Sequence, residues 1–290
     1  MFYTFGMVIV KLVYKQYKCS LVVTFTDFYN MKKLFLIILT VLIIQPLISQ
    51  NESSFGKGEW FRFEMSYSGF LKAGEATITV NEAMYKNKPV HHVVGKGWTT
   101  GAISWFFKVE DRYESYFDKE KIIPYKFIRN IDEGGHTKNI EITFDQENNK
   151  AHVNNIKHNR KSVFDTKPNI QDMISTFYYL RDNLDVDNLN KGTEVHVDMF
   201  FDDENYGFKL KYLGKEIIET EFGKIKALKF RPYVMAGRVF KEEESLTLWV
   251  SNDKNKVPLR IQADLAVGSL RADLEAFKGL KHPFKIVVQE

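Results

Sequence analysis

The histidine, serine and carboxylate residues of this 290-residue chain do not form a recognisable catalytic or metal-binding motif. His91 and His92 are adjacent in an alternating segment, so their side chains would point to opposite faces of a strand and would not share a metal ion. The sequence contains no Gly-x-Ser-x-Gly motif, and its glycines lack the spacing of a phosphate-binding loop. We therefore predict no catalytic residues, no metal site and no cofactor, and we expect that the protein is not an enzyme.

Three charged residues beside large apolar residues are candidates for a buried ion pair. Asp111 lies in an alternating segment, where the side chain of its neighbour Arg112 points away from it. Its candidate partners are Arg129 and Arg181. Such a pair would be either a structural ion pair or an anchor for a ligand. The alternative, in which these charges are exposed to solvent, agrees equally well with the sequence.

Aromatic residues give the clearest indication of a binding function. They cluster around two segments that are predicted to be helical, and in a half-open barrel some of them would line the concave side. The corresponding partner would be a lipid or another apolar small molecule. The alternative is an ordinary hydrophobic core. The candidate cavity residues are Trp98, Trp105, Phe106, Phe177 and Tyr178.

Apolar and polar residues alternate with a period of two from Glu59 onward, which predicts many antiparallel strands. Regularly spaced strands separated by Gly, Asn, Asp and Pro favour an all-β fold, either a curved antiparallel sheet or an open β-barrel. The predicted strands are 60–67, 74–80, 90–97, 107–117, 124–131, 138–145, 150–155, 194–201, 207–213, 215–220, 224–231, 244–251, 257–266 and 268–277.

Two helices are expected to interrupt the strands and to position the aromatic residues. Met173, Phe177 and Leu180 recur at helical spacing within 170–183, and Asn169 is a candidate N-cap. A shorter helix is predicted near 99–106. We expect the longer helix to pack on the curved sheet.

The segment 31–49 has the pattern of a secretion signal. Lys32 and Lys33 precede an apolar run at 34–44, and Ser49 stands just before Gln50. Because this run is shorter than the roughly 20 residues that span a bilayer, we expect cleavage, with an uncleaved anchor as the alternative. The mature chain would then reach the periplasm or the extracellular space, without a stable membrane span.

The remaining residues divide at this signal. We interpret 1–30 as an extension upstream of a true start at Met31, the alternative being a long n-region before the apolar run. Residues 50–290 are expected to form a single all-β exported domain. The only cysteine of the chain, Cys19, lies upstream, so the mature domain would contain no disulfide.

The formal charge of +4 belongs to the leader. The chain has 41 basic and 37 acidic residues. Since five lysines and one aspartate lie in 1–49, 36 residues of each sign remain. A neutral domain lacks the concentrated basic surface that nucleic-acid binding requires, so we predict no nucleic-acid partner. The sequence leaves the oligomeric state open.

Several blocks of the chain resemble a bacterial exported family, the domain of unknown function 3108. The resemblance begins with GEWFRFEMSYSG at 58–69 and extends to about residue 275. It implies an all-β exported domain with no assigned activity and no catalytic residues to transfer. The other blocks are 73–77, 107–115, 172–175 and 178–181, together with Pro124, Gly223, Trp249 and Pro258.

These observations predict a non-catalytic periplasmic envelope protein that binds a lipid or another apolar ligand on the concave face of its sheet. One alternative is a structural or interaction module with a filled core. Another is a hydrolase of envelope polymers, for which two carboxylates would face each other across a cleft.

Overall fold

The computed structural model describes residues 52–233, 246–265 and 268–287. The predicted signal, the upstream extension and Cys19 lie outside these residues. From Ser53 onward, the described residues belong to one unit. No helix within the described ranges is long and apolar enough to cross a membrane.

The described part of the chain forms one antiparallel sheet of 14 strands. Each strand pairs with its neighbours along the chain except β8 and β9, which are the two edges of the sheet, and the first strand also pairs with the last. The predicted all-β fold with an open, curved sheet is confirmed. The strands are β1 (Trp60–Tyr67), β2 (Leu71–Tyr85), β3 (Lys88–Thr99), β4 (Val109–Asp118), β5 (Pro124–Glu133), β6 (His136–Asp145), β7 (Lys150–Asn155), β8 (Arg160–Asp165), β9 (Glu194–Phe201), β10 (Glu204–Thr220), β11 (Gly223–Tyr233), β12 (Leu246–Ser251), β13 (Pro258–Asp264) and β14 (Ser269–Lys278).

At two places the number of strands differs from the sequence prediction, for identifiable reasons. The pattern does not predict β8, because this edge strand is mostly polar and partly exposed. The pattern also divides β10 into two strands at Gly214. The structure shows one strand, in which the register shifts between Tyr212 and Gly214. Gly214 has a φ of 125°, so this position is a β-bulge that a glycine accommodates without strain.

Within the described residues, two helices connect strands. The helix α1 (Ile103–Phe106) lies between β3 and β4. The helix α2 (Met173–Asn183) lies between β8 and β9, the two edge strands, and packs against β4 and β9.

The N-terminus of α2 is set by Asp172 and not by Asn169. The Asp172 Oδ1 atom accepts hydrogen bonds from the backbone N–H groups of Ile174 (2.8 Å) and Ser175 (2.7 Å). The Ser175 hydroxyl accepts one from the Asp172 N–H at 2.9 Å, which completes a capping box. The predicted start of this helix at residue 170 is therefore wrong by three residues.

The segment before α2 pairs with the edge strand β9. The Gln171 N–H donates to the Asp198 carbonyl at 2.9 Å, and the Gln171 carbonyl accepts from the Phe200 N–H at 2.8 Å. This parallel bridge holds α2 against the sheet and satisfies part of an otherwise open strand edge.

Side chains connect the two edges of the sheet where backbone pairing stops. The Phe164 ring of β8 lies 5.7 Å from the Phe200 ring of β9. Arg129 of β5 forms an ion pair of 2.6 Å with Asp202, in the turn between β9 and β10, and Lys138 of β6 binds the same carboxylate. These contacts bring the two ends of the sheet together, although the backbones of β8 and β9 do not pair with each other.

Candidate functional site

An apolar cavity of about 370 Å³ lies between α2 and the strands β9–β12. Positions 173, 177, 180 and 184 fall on one face of a helix, and all four residues line the cavity. The strands contribute aromatic and aliphatic side chains to the opposite wall. The volume is at the lower end of the range for small-molecule sites. The strand residues that line it include Met199, Phe201, Tyr206, Phe208, Leu210, Phe230, Leu248 and Val250.

Arg181 and Lys256 are the two charged residues in the cavity wall. The Arg181 guanidinium is 3 % exposed and is paired with the fully buried Glu59, at 2.6 Å from Nη1 to Oε1 and 2.8 Å from Nη2 to Oε2. It also donates from Nε and Nη2 to the Asn255 carbonyl. This two-pronged geometry satisfies both charges, so Arg181 is neutralised by the protein itself.

Lys256 lies in the turn between β12 and β13. Its Nζ donates to the Arg181 carbonyl at 2.5 Å, near the C-terminus of α2. Burial lowers the pKa of Lys256, because the ammonium group loses part of its hydration. Among the described residues, no carboxylate lies within ion-pair distance of this ammonium group. Lys256 is therefore a cation at the wall of an apolar cavity whose charge is not balanced by an adjacent partner.

The opposite face of α2 packs into a filled core. Tyr178 is fully buried there, with ring centroids 4.5 Å from Phe55 and 5.7 Å from Phe117. Burial, and next the nearby Glu59 carboxylate, raise the pKa of the Tyr178 hydroxyl well above its usual range. The prediction that Tyr178 lines a cavity is corrected, because the helix directs this residue away from the open side.

The other predicted cavity residues are dispersed. Phe177 lines the cavity. Trp105 and Phe106 are 83 % and 86 % exposed, because α1 is a short connection that buries none of its side chains. Trp98 lines a separate polar groove across β3–β6. The expectation that Trp98, Trp105 and Phe106 line the cavity with Phe177 is therefore corrected.

The predicted ion pair forms with different partners. Arg181 pairs with Glu59, and Arg129 pairs with Asp202, so neither forms a salt bridge with Asp111. Asp111 lies in the polar groove, where burial first, and then the charge of Glu133, raise its pKa to about 6. The expectation for Asp111 is therefore corrected.

The sequence does not indicate two residues of this site. Glu59 belongs to the block at 58–69 that resembles the family, yet no spacing connects it with Arg181. Lys256 follows an Asp-Lys turn of a common kind, and no periodicity places it beside a helix 75 residues away.

Two carboxylates of the polar groove lie at paired positions of neighbouring strands. Glu110 and Asp132 are paired positions of β4 and β5, and both line the groove. The Glu110 carboxylate binds Lys108 at 2.9 Å. Within the described ranges, no three His, Cys, Asp or Glu side chains are grouped so that they would hold a metal ion.

Comparison with known families decides the classification. The family described as "Protein of unknown function (DUF3108)" matches residues 62–275. The chain belongs to this family. The resemblance noted in the sequence is thereby confirmed. A search of the curated proteins finds no match.

One solved structure supports the fold. A β-barrel-like protein of the domain of unknown function DUF1849 from Brucella abortus is similar at a TM-score of 0.54 and 9 % identity, covering 78 % of this chain and 99 % of that chain. A DUF1089 family protein from Pseudomonas aeruginosa has a TM-score of 0.32 at 10 % identity, covering 63 % and 87 %. A "putative exported protein with YmcC-like fold" from Bacteroides fragilis has a TM-score of 0.30 at 9 % identity, covering 77 % and 97 %. Of these three, the Brucella abortus protein alone is similar enough to support the fold, and this likeness concerns the fold alone.

Proposed function

We propose that this protein is a non-catalytic, exported protein of the bacterial envelope that binds a lipid or another apolar small molecule between α2 and β9–β12. The observation that supports this function is the cavity itself. Protein interiors are normally packed as densely as organic crystals, so an apolar space of about 370 Å³ beside a filled core is unusual.

Energetics favour an apolar occupant. The walls are mostly Met, Leu, Val and aromatic side chains, which offer water few hydrogen-bond partners. A hydrocarbon chain would remove this surface from water, which stabilises a complex by roughly 25 cal/mol for each Å² of apolar area buried.

Native mass spectrometry of the protein purified from its own envelope tests the binding. We expect a co-purifying apolar molecule whose mass identifies it. The matched variants are Leu248→Trp, which fills the cavity, and Leu71→Trp, which makes the same change on an exposed position of β2. The first should lose the bound molecule and the second should keep it.

Repeated spectra without ligand would contradict the proposal and favour a structural module. Equal occupancy in the two variants would show that any bound molecule lies elsewhere. A cleft hydrolase would instead require activity on envelope polymers that falls when Glu110 or Asp132 is replaced by its amide.

The envelope location depends on the pattern at 31–49. N-terminal sequencing of the purified protein tests it, and a start near Gln50 is the expected result. Retention of Met31 or Met1 would contradict cleavage of a signal.

A further inference from the structure

We propose that the ligand is an acidic single-chain amphiphile, with its carboxylate or phosphate group paired to Lys256 and its hydrocarbon chain lying along α2. This inference depends on the proposed function, because it specifies the ligand of the same cavity.

Charge balance in the cavity wall points to an anionic group. Of the two cations, Arg181 already has a bidentate carboxylate partner in Glu59. Lys256 has only the Arg181 carbonyl among the described residues. An ammonium group carries three N–H donors, so this carbonyl leaves donor capacity for a ligand. A partly desolvated cation without a carboxylate in ion-pair distance favours an anion as its partner.

The acidic residues closest to Lys256 do not replace such a ligand. Asp182, Asp185 and Asp187 raise its pKa from a distance, but none of them lines the cavity. The Asp182 Oδ1 atom accepts hydrogen bonds from the Ser54 N–H (2.7 Å) and hydroxyl (2.6 Å). Asp185 accepts one from the Asn188 amide at 2.7 Å. The carboxylates of Asp182 and Asp185 are thus held by other groups, and none of the three acids forms an ion pair with Lys256 among the described residues.

The polarity of the cavity runs from one end to the other. Lys256 lies in the turn that follows β12, whereas Phe201 and Tyr206 flank the turn between β9 and β10. The pairing of Phe230 with Leu248 shows that these turns are at opposite ends of the strands, because β10, β11 and β12 are successive antiparallel neighbours. A cation at one end and apolar walls at the other fit a molecule with an acidic head and an apolar tail.

The volume limits the tail. About 370 Å³ is at the lower end of the range for small-molecule sites, which favours one hydrocarbon chain over the two chains of a diacyl lipid.

A dodecyl series tests the head group at constant chain length. Binding of dodecanoate, dodecyl phosphate and dodecanol to the full mature protein is measured by isothermal titration calorimetry. We expect at least one acid to bind about tenfold more tightly than the alcohol, since a desolvated ion pair contributes to binding. The acid that binds more tightly shows whether the ligand carries a carboxylate or a phosphate group.

Variants assign this preference to Lys256. Lys256→Met should remove the preference for the acid while dodecanol still binds, and Lys256→Arg should keep most of it. Lys254→Met changes an exposed lysine of the same turn and should have no effect. Near-ultraviolet circular dichroism shows whether each variant is folded, and the comparison of acid with alcohol in the wild type needs no variant.

The outcomes separate the two proposals. Equal binding of acid and alcohol by the wild type, or an acid preference that persists in folded Lys256→Met, overturns the assignment of an acidic ligand but leaves the apolar site intact. Failure of all three compounds to bind overturns both.

Discussion

The two faces of α2 lie in contrasting surroundings. The face with Tyr178 packs into an aromatic cluster that includes Phe55 and Phe117. The face with Phe177 lines the cavity, although the strands opposite it are equally apolar. Both faces are thus hydrophobic, and only one is filled.

This difference shows that hydrophobic character does not decide whether a helix face is core or binding site. On the filled side, rings interlock at short centroid distances. On the open side, side chains from β9–β12 surround a space that they do not occupy. The filled face supports the fold, and the open face is available for a ligand.

The Glu59–Arg181 pair connects these two sides, and breaking it should have the largest effect. Glu59→Gln leaves a buried guanidinium without its counter-charge. We expect the free energy of unfolding to fall by about 3–5 kcal/mol, measured by urea denaturation. Glu82→Gln removes an exposed acid that pairs with Lys119 and should change stability little. Similar stabilities for both variants would show that the buried pair is not important for the fold.

Two phenylalanines allow a direct comparison of the filled face of α2 with the face that lines the cavity. Phe117→Ala should lower the free energy of unfolding by about 3–5 kcal/mol, because it creates a new void in a close-packed cluster. Phe177→Ala should cost about half as much, because its side chain lines the cavity and is packed on fewer sides. Denaturation of both variants without ligand gives the comparison. Equal losses would mean that the two faces are packed alike.

The smallest expected effect is at the start of α2. Burial raises the pKa of Asp172 to about 6, from 3.8 in the unfolded chain. Between these values the folded protein binds the proton more tightly, so this group stabilises the fold at low pH and the contribution is lost as pH rises towards 6. Lowering the pH from about 7 to about 5 should therefore raise the free energy of unfolding by about 1 kcal/mol through this group.

Asp172→Asn is the matched control for that pH effect. Asparagine is a good N-cap but does not titrate. The pH dependence of the variant should be weaker than that of the wild type, and contributions from other acids, including Asp111, cancel in the difference. Parallel stability curves would show that Asp172 does not titrate in this range.

Much of the fold follows from local patterns in the sequence. Alternation predicts the bounds of β1, β7 and β9 as the structure has them. The start of α2 is harder to predict from the sequence. Pairing between Gln171 and β9 competes with helix formation there, and it involves a strand that is distant in the sequence. An edge strand such as β8 has no buried face strong enough to produce a clear alternation.

The candidate site was only partly predictable. Helical spacing brings Met173, Phe177 and Leu180 to one face, and that face lines the cavity. Whether a cavity forms opposite this face depends on the distance between α2 and β9–β12. This distance is set by tertiary packing and cannot be predicted from the periodicity of the sequence. The exposure of Trp105 likewise reflects the position of α1 outside the packed interior.

The pairing of β1 with β14 has a consequence for how the chain folds. These strands are the first and the last of the sheet, yet they are neighbours at its middle. Contacts between residues so far apart in sequence form slowly, because a long loop must close before they are made. A chain that ended before Ser269 would leave β1 as an unpaired edge, open to pairing with another molecule. The middle of the sheet can therefore be completed only after the final strand, β14, has been synthesised and has paired with β1.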